Sequence, residues 1–153
     1  MLAVSPALAF NIAPASADLS AYAAHISAVV FTHTSAAPPA GAMATINVQV
    51  ADVNVPLTIG VDESYTLTLP ADGSAGTLTA ATIYGAMMGL QTLSQAIRYD
   101  YDNDWYSVAA APLTISDAPK FAWRGILIDT DRHWLSLHHI MRIVDSLGYA
   151  KMK

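Results

Sequence analysis

The sequence predicts an α+β fold in two layers, an antiparallel sheet with two helices on one face, followed by a single βα unit. Several segments alternate apolar and polar residues with a period of two, which is typical of strands with one buried face. Two other segments place apolar residues at helical spacing. Near the carboxyl end, a short apolar run is followed by polar residues and by a third helical pattern.

The opening third of the chain predicts one strand and one helix. A strand is expected over 4–12. The helix that follows could be capped by Ser16, Asp18 or Ser20, whose side-chain oxygens can accept backbone N–H groups. Its apolar stripe consists of Leu19, Tyr22, Ala23, Ile26, Val29 and Val30. The proline-containing segment 36–41 is expected to be a loop.

Three more strands are predicted from the middle of the chain. Residues 45–50 and 64–69 alternate between apolar and polar side chains. The segment 76–80 is expected to pair with the second of these through the turn at 70–73. A last strand of this layer is expected over 106–115.

A second helix is predicted to begin after Thr82, which is a good capping residue. Its apolar stripe consists of Ile83, Ala86, Met87, Leu90, Leu93, Ser94 and Ile97. Gly85 and Gly89 lie four residues apart in this helix, and each costs helix stability. They are therefore expected to permit close approach to the sheet.

The segment 98–105 interleaves aspartates with aromatic residues. This pattern has two interpretations. It could form a loop that binds a sugar or calcium, or a polar turn between the second helix and the next strand. The second interpretation is the commoner one for such segments and is preferred.

Composition excludes several function classes. The chain has 153 residues, of which 54% are hydrophobic and 12% charged, with a net charge of -5 and no cysteine. No apolar run reaches the roughly 18 residues that a spanning helix needs, so no spanning segment is expected. Nucleic-acid binding is not expected because it normally needs a basic surface. Disulfides and cysteine-bound metals are excluded, and neither a metal site nor a cofactor is expected.

The stretch 121–133 carries the most information. The apolar run from Ile126 to Ile128 is bounded by Gly125 and Asp129, which predicts a buried strand that ends in polar residues. Beyond it, a helix is predicted from the spacing of Leu137, Ile140, Met141, Val144 and Leu147. In βα units chemistry gathers at the carboxyl end of the strand, where Arg132 lies.

These residues resemble the start of the catalytic barrel in β-N-acetylhexosaminidases, the family-20 glycoside hydrolases. The matching residues are Arg124, Gly125, Asp129, Thr130, Arg132, His133, Trp134 and Leu135. A second match lies upstream, where 63–67, 82–86 and 89–95 resemble the small domain that precedes the barrel in that family. The resemblance implies a small α+β domain over 1–117 and the start of a (β/α)8 barrel over 118–153.

The resemblance also implies a reaction. Members of this family are retaining exo-enzymes that remove terminal GlcNAc or GalNAc by substrate-assisted hydrolysis. The substrate would be the terminal N-acetylhexosamine of glycans or chitin oligomers, the full-length protein could be a homodimer, and a lysosomal or extracellular location is implied. No signal peptide is evident in the opening residues.

The adjacent Asp-Glu pair that the family uses late in the barrel has no counterpart here. The one such pair in this chain, Asp62 and Glu63, precedes a strand of the small domain. The chain is therefore expected to be an amino-terminal fragment that contains no catalytic residue and is inactive alone. A non-catalytic interaction module, or the front of another glycosidase with the same layout, remains the alternative.

Arg132 is the candidate substrate-binding residue, because the matching arginine of the family binds hydroxyl groups of the terminal sugar. A guanidinium is a rigid, planar donor array that can engage two vicinal hydroxyl oxygens. Asp129 is expected to support the strand end or the arginine, and His133 is a weaker supporting candidate. The alternative is a simple ion pair of Arg132 with Asp129 or Asp131.

Overall fold

The computed structural model describes residues 1–152. In this range the chain forms seven strands and three helices. They are β1 (Leu2–Ala13), α1 (Ala17–Val30), β2 (Met43–Asp52), β3 (Tyr65–Leu69), β4 (Gly76–Thr82), α2 (Ile83–Ala96), β5 (Arg98–Asp100), β6 (Trp105–Val108), β7 (Leu113–Asp117) and α3 (Leu137–Tyr149). None of these helices is long and apolar enough to cross a membrane.

All seven strands belong to one sheet, in the order β5-β6-β1-β2-β4-β3-β7. The sheet is mixed, so the prediction of an antiparallel sheet is wrong. β1 pairs with β2 and β2 with β4 in parallel, whereas the remaining neighbours are antiparallel. For β1 and β2 the reason is that α1 carries the chain back to the same end of the sheet, as a crossover helix does in a parallel pair. Alternation reports a single buried face and does not report strand direction.

One face of the sheet is buried, as the alternation predicted. Ile46, Val48, Leu67 and Leu78 have no exposed surface. The opposite face is polar; there the side chain of Asn11 on β1 donates to that of Asn47 on β2. Because α1 and α2 contact each other and the strands, both cover the buried face. This arrangement forms the main core.

The predicted caps and glycine contacts are confirmed. Ser16 caps α1, and Thr82 caps α2 by accepting the N–H of Gly85. A Cβ on Gly85 would lie 2.3 Å from the carbonyl oxygen of Ser64, and one on Gly89 would lie 2.3 Å from a methyl group of Leu78. The two glycines therefore let α2 approach the sheet more closely than any side chain would allow.

The strand predicted over 106–115 is two strands, which is a correction. β6 lies beside β1, and β7 lies beside β3 at the far edge of the sheet. The chain turns between them at 109–112, where Pro112 has no N–H to donate to a ladder. The sequence did not show that the strand is interrupted here or that the chain changes edges.

The strand predicted over 126–128 is not formed among the described residues, a second correction. Leu127 is 90% exposed and no described strand pairs with this run. A strand is defined by hydrogen bonds to a neighbour, and this segment has none to bond with here. The helix predicted after it is confirmed as α3, although none of its residues is buried.

Candidate functional site

The candidate sugar contact Arg132 lies on the loop between the apolar run and α3. Its guanidinium is 3.5 Å from Oδ2 of Asp129, and the side chain is 86% exposed. Oδ1 of Asp129 accepts the backbone N–H groups of Asp131 and Arg132 at 3.0 and 3.1 Å. The carboxylate of Asp129 thus both closes the turn and contacts the arginine.

This geometry contains the simple ion pair that the sequence left open for Arg132, with Asp129 as its partner. An exposed pair of this kind contributes little to stability. It also leaves most of the five N–H donors of the guanidinium facing solvent, where they could bind vicinal hydroxyls. His133 follows on the same loop and is exposed. The structure therefore brings Asp129 and Arg132 together, with His133 next in the chain.

A second polar site was not found from the sequence. Arg124 and Glu63 form a bidentate ion pair, with N–O distances of 2.8 and 3.1 Å. The side chain of Glu63 is only 4% exposed and that of Arg124 is 18% exposed. Arg124 also donates to the carbonyl oxygen of Phe121 at 2.8 Å. This pair joins the segment before the apolar run to the loop before β3.

Lys151 extends this site from the end of α3. Its Nζ donates to the hydroxyl oxygens of Tyr65, at 3.0 Å, and Thr92. It lies 3.7 Å from a carboxylate oxygen of Asp117 and 5.0 Å from the centre of the Tyr65 ring. Nε of Arg124 donates to the carbonyl oxygen of Lys151 at 2.8 Å. The two cations therefore share one edge of the sheet.

No periodicity could have revealed these contacts, because they join residues 61 and 86 positions apart. Arg124 and the segment beginning at Glu63 belong to the two regions of family resemblance, but the sequence did not pair them. The available signal was a glutamate two residues before the alternating segment at 65–69 and an arginine two residues before the apolar run at 126–128. Such residues are rarely buried unless they are paired.

Few titratable groups in the described residues have a pKa that departs from its usual value. Hydrogen bonds from the side chain and backbone N–H of Ser64 hold the pKa of Asp62 below its usual range. Burial, with a smaller contribution from nearby Tyr149, raises the pKa of Tyr22. Neither group lies on the Arg132 loop, so neither indicates an acid or base catalyst.

The segment 98–105 comprises β5, the turn at 101–104 and the first residue of β6, which together make a β-hairpin. The carboxylate of Asp100 accepts hydrogen bonds from the backbone of Asp102 and the side-chain amide of Asn103. These contacts favour the interpretation as a polar turn. Within residues 1–152, no group of three or more histidine, aspartate or glutamate side chains could hold a metal ion.

Comparison with family models gives two ordered matches. Residues 11–96 match a model described as beta-acetyl hexosaminidase like. Residues 121–153 match the catalytic domain of glycosyl hydrolase family 20. The first match covers more than half of the chain.

Curated relatives agree with these models. The chain is 43% identical over 101 residues to Beta-hexosaminidase 1 of Arabidopsis thaliana, covering 63% of this chain and 19% of that protein. It is 38% identical over 96 residues to Beta-hexosaminidase subunit B2 of Dictyostelium discoideum, covering 62% of this chain and 17% of that protein. The chain thus spans about a fifth of the length of these relatives.

Solved structures share the fold. A chitobiase of Flavobacterium johnsoniae superposes with a TM-score of 0.73 at 25% identity, over 99% of this chain and 24% of that chain. An N-acetyl-beta-hexosaminidase of Streptomyces plicatus superposes with a TM-score of 0.69 at 20% identity, over 99% of this chain and 30% of that chain. The mixed sheet with three helices is therefore an arrangement that these enzymes contain.

Proposed function

The chain belongs to glycosyl hydrolase family 20, and on that premise we propose that it is the amino-terminal part of a retaining exo-β-N-acetylhexosaminidase. The enzyme removes terminal GlcNAc or GalNAc from glycans or chitin oligomers. The observation that carries this proposal is the pair of family matches, which follow each other in one chain in the order small domain, then catalytic domain.

The proposal assigns residues 1–117 to the small α+β domain and 118–153 to the start of a (β/α)8 barrel. The exposed apolar surface of the second segment supports this division. Leu137, Met141 and Val144 on α3 are all at least half exposed, as are Ile126 and Leu127 of the unpaired run. Such a surface needs a covering element, and neighbouring strands and helices of a barrel would supply one.

Arg132 is proposed to hold the terminal sugar, with Asp129 and His133 as supporting residues. Three features support this role. Arg132 follows the carboxyl end of the segment 126–128, which is proposed to be a barrel strand. Its guanidinium is highly exposed, and Asp129 closes the turn around it. In (β/α)8 enzymes this end of the strands carries the active site. The exposed pair with Asp129 orients the guanidinium and leaves donors free for hydroxyl groups.

The proposed reaction is substrate-assisted, so the acetamido group of the sugar acts as the nucleophile. The general acid and the carboxylate that steadies the acetamido group would come from an Asp-Glu pair outside this chain. Glu63 does not serve this role, because its carboxylate is buried against Arg124. The chain by itself is therefore inactive.

The test compares the purified chain with a longer protein in which the rest of the barrel follows it. Each is assayed with the p-nitrophenyl glycosides of β-GlcNAc and β-glucose. We expect turnover only by the longer protein and only of the β-GlcNAc substrate, since the glucoside lacks the acetamido nucleophile. Turnover by the chain alone, or equal cleavage of both glycosides, would contradict the proposal.

The exposed apolar face of α3 also favours a second candidate, a non-catalytic module that packs on another chain. The same assay separates the two functions. A longer protein that leaves both glycosides intact, yet forms a stable complex in sedimentation measurements, would favour the module over the enzyme.

A further inference from the structure

We propose that the edge of the sheet around Glu63, Tyr65 and Thr92 is a receptor for Arg124 and Lys151. The two cations form a clamp that fixes the orientation of residues 121–152 relative to the sheet. Glu63 would then be a positioning residue, acting on Arg132 through Arg124 and the intervening run. That last step rests on the proposed function, whereas the clamp itself does not.

The first point of the clamp is the ion pair of Arg124 with Glu63. Both guanidinium N–H groups that face the carboxylate are engaged, at 2.8 and 3.1 Å. A paired arrangement of this kind fixes direction as well as distance, because both groups are planar. Since the carboxylate is almost fully buried, solvent screens the pair only weakly. The start of the 121–128 segment is therefore held in one orientation.

The second point is the ammonium group of Lys151. It contacts two strands of the sheet and one helix that covers it: Tyr65 on β3, Asp117 on β7 and Thr92 on α2. The Tyr65 hydroxyl in turn donates to Asp117 at 3.0 Å, so the receptor groups are themselves connected. These contacts hold the segment that follows α3.

The two points lie near the start and near the end of the 121–152 segment, and they are linked to each other. Arg124 donates to the carbonyl oxygen of Lys151, 27 residues later in the chain. None of the α3 residues is buried, so apolar burial alone does not hold the helix. A tilted ring contact joins Tyr149, at the end of α3, to His25 of α1. Directional polar contacts therefore carry much of the docking.

This placement has a consequence for the Arg132 loop. Arg124, the first point of the clamp, lies before the 126–128 run, and the Arg132 loop follows the same run at its other end. In a (β/α)8 barrel the corresponding ends have separate roles, stability at one and chemistry at the other. By orienting the run, the clamp would set the direction of Arg132 and leave the apolar face of α3 outward, ready for the following βα units.

Hydrogen exchange of the chain, read by mass spectrometry, tests the clamp without any sugar. Glu63→Gln removes the charge of one receptor group, and Lys151→Met removes the ammonium while keeping the apolar stem. We expect each variant to speed exchange in α3 by about tenfold or more, with β2 and α2 unchanged, because only the docked segment is released. Lys151→Arg, which keeps the donors, and Arg132→Gln, which lies outside the clamp, should exchange like the parent chain.

Two results would overturn the clamp. Unchanged exchange in α3 in both variants would show that the contacts do not hold the segment. Equal acceleration in β2 and α2 would show that these groups support the sheet itself. Because neither result involves turnover, the clamp can fail while the proposed hydrolase stands, and the reverse also holds.

The positioning step is tested in the longer, active protein by a double-mutant cycle on kcat/KM for the β-GlcNAc glycoside. Glu63→Gln is expected to lower kcat/KM by about tenfold, because small misplacements of a contact group are costly. Its effect should largely vanish in a background of Arg132→Lys, since both changes disturb the same contact. Additive effects would contradict a role for Glu63 through Arg132.

Discussion

Arg124 and Glu63, 61 residues apart in the sequence, meet as a bidentate ion pair that is largely hidden from solvent. Each side of the pair comes from one of the two regions that resemble the family, so the contact joins those two regions. Its geometry explains why Glu63, half of an adjacent Asp-Glu pair, is not available as an acid catalyst. The same carboxylate has a structural partner.

The core of α2 gives the first prediction. Leu90 has no exposed surface, so Leu90→Ala should lower the free energy of unfolding by about 2–5 kcal/mol. Leu57, which is 62% exposed, provides a control with the same chemical change; Leu57→Ala should stay within about 0.5 kcal/mol of the parent. Urea denaturation measures both, and similar losses would show that burial does not distinguish the sites.

A second prediction compares a tightly packed glycine, Gly85, with one that has open space around it, Gly148. Gly85→Ala should destabilise the protein by about 1–3 kcal/mol, because the new Cβ would lie 2.3 Å from the backbone oxygen of Ser64. Gly148→Ala on α3 has no heavy atom within 4 Å of the new Cβ, so it should be neutral or gain up to about 1 kcal/mol of helix stability. Thermal unfolding and circular dichroism compare them. A neutral Gly85→Ala would refute the close approach.

The cap of α2 gives a third prediction. The Thr82 hydroxyl accepts the N–H of Gly85 at 3.2 Å and donates to the carbonyl oxygen of Asp62. Thr82→Val keeps the shape but leaves both backbone groups without this partner, so it should cost about 1–3 kcal/mol of unfolding free energy. Thr82→Ser keeps the hydroxyl and should cost less than half as much. If the two variants unfold at the same denaturant concentration, the hydroxyl is not responsible.

The fourth prediction concerns Arg132 in the longer, active protein. Arg132→Lys keeps the charge but removes the planar fork, so contacts with two hydroxyls cannot both survive. We expect kcat/KM for the β-GlcNAc glycoside to fall by about two orders of magnitude, on the order of 3 kcal/mol of transition-state binding, with an almost unchanged Tm.

Steady-state kinetics of Arg132→Lys, beside Asp129→Asn as the partner variant, check this assignment. If Arg132 only pairs with Asp129, lysine should replace it well and activity should remain within a few-fold of the parent. Near-normal kcat/KM in Arg132→Lys would therefore contradict the assignment of Arg132 as a sugar-binding residue.

Much of the fold follows from the sequence because local physics decides it. Period-two alternation identified β2 and β3, the turn at 70–73 identified β4, and apolar spacing identified all three helices. Thr82 was recognised as a cap because its hydroxyl acts on a backbone group only three residues away. The family resemblance rested on short contiguous motifs, and the comparisons confirm the family.

Only the tertiary structure decided which strands are neighbours and which charges meet. The side chains of 45–50 alternate in the same way in a parallel or an antiparallel pair, so the sequence could not show that β2 runs parallel to β1 and β4. The run at 126–128 looked like a strand because it is apolar, but a strand also needs a partner for its backbone groups. The sequence predicted no partner for Arg124 or for Lys151. Their roles depend on Glu63 and Tyr65, which only the folded sheet brings within hydrogen-bonding distance.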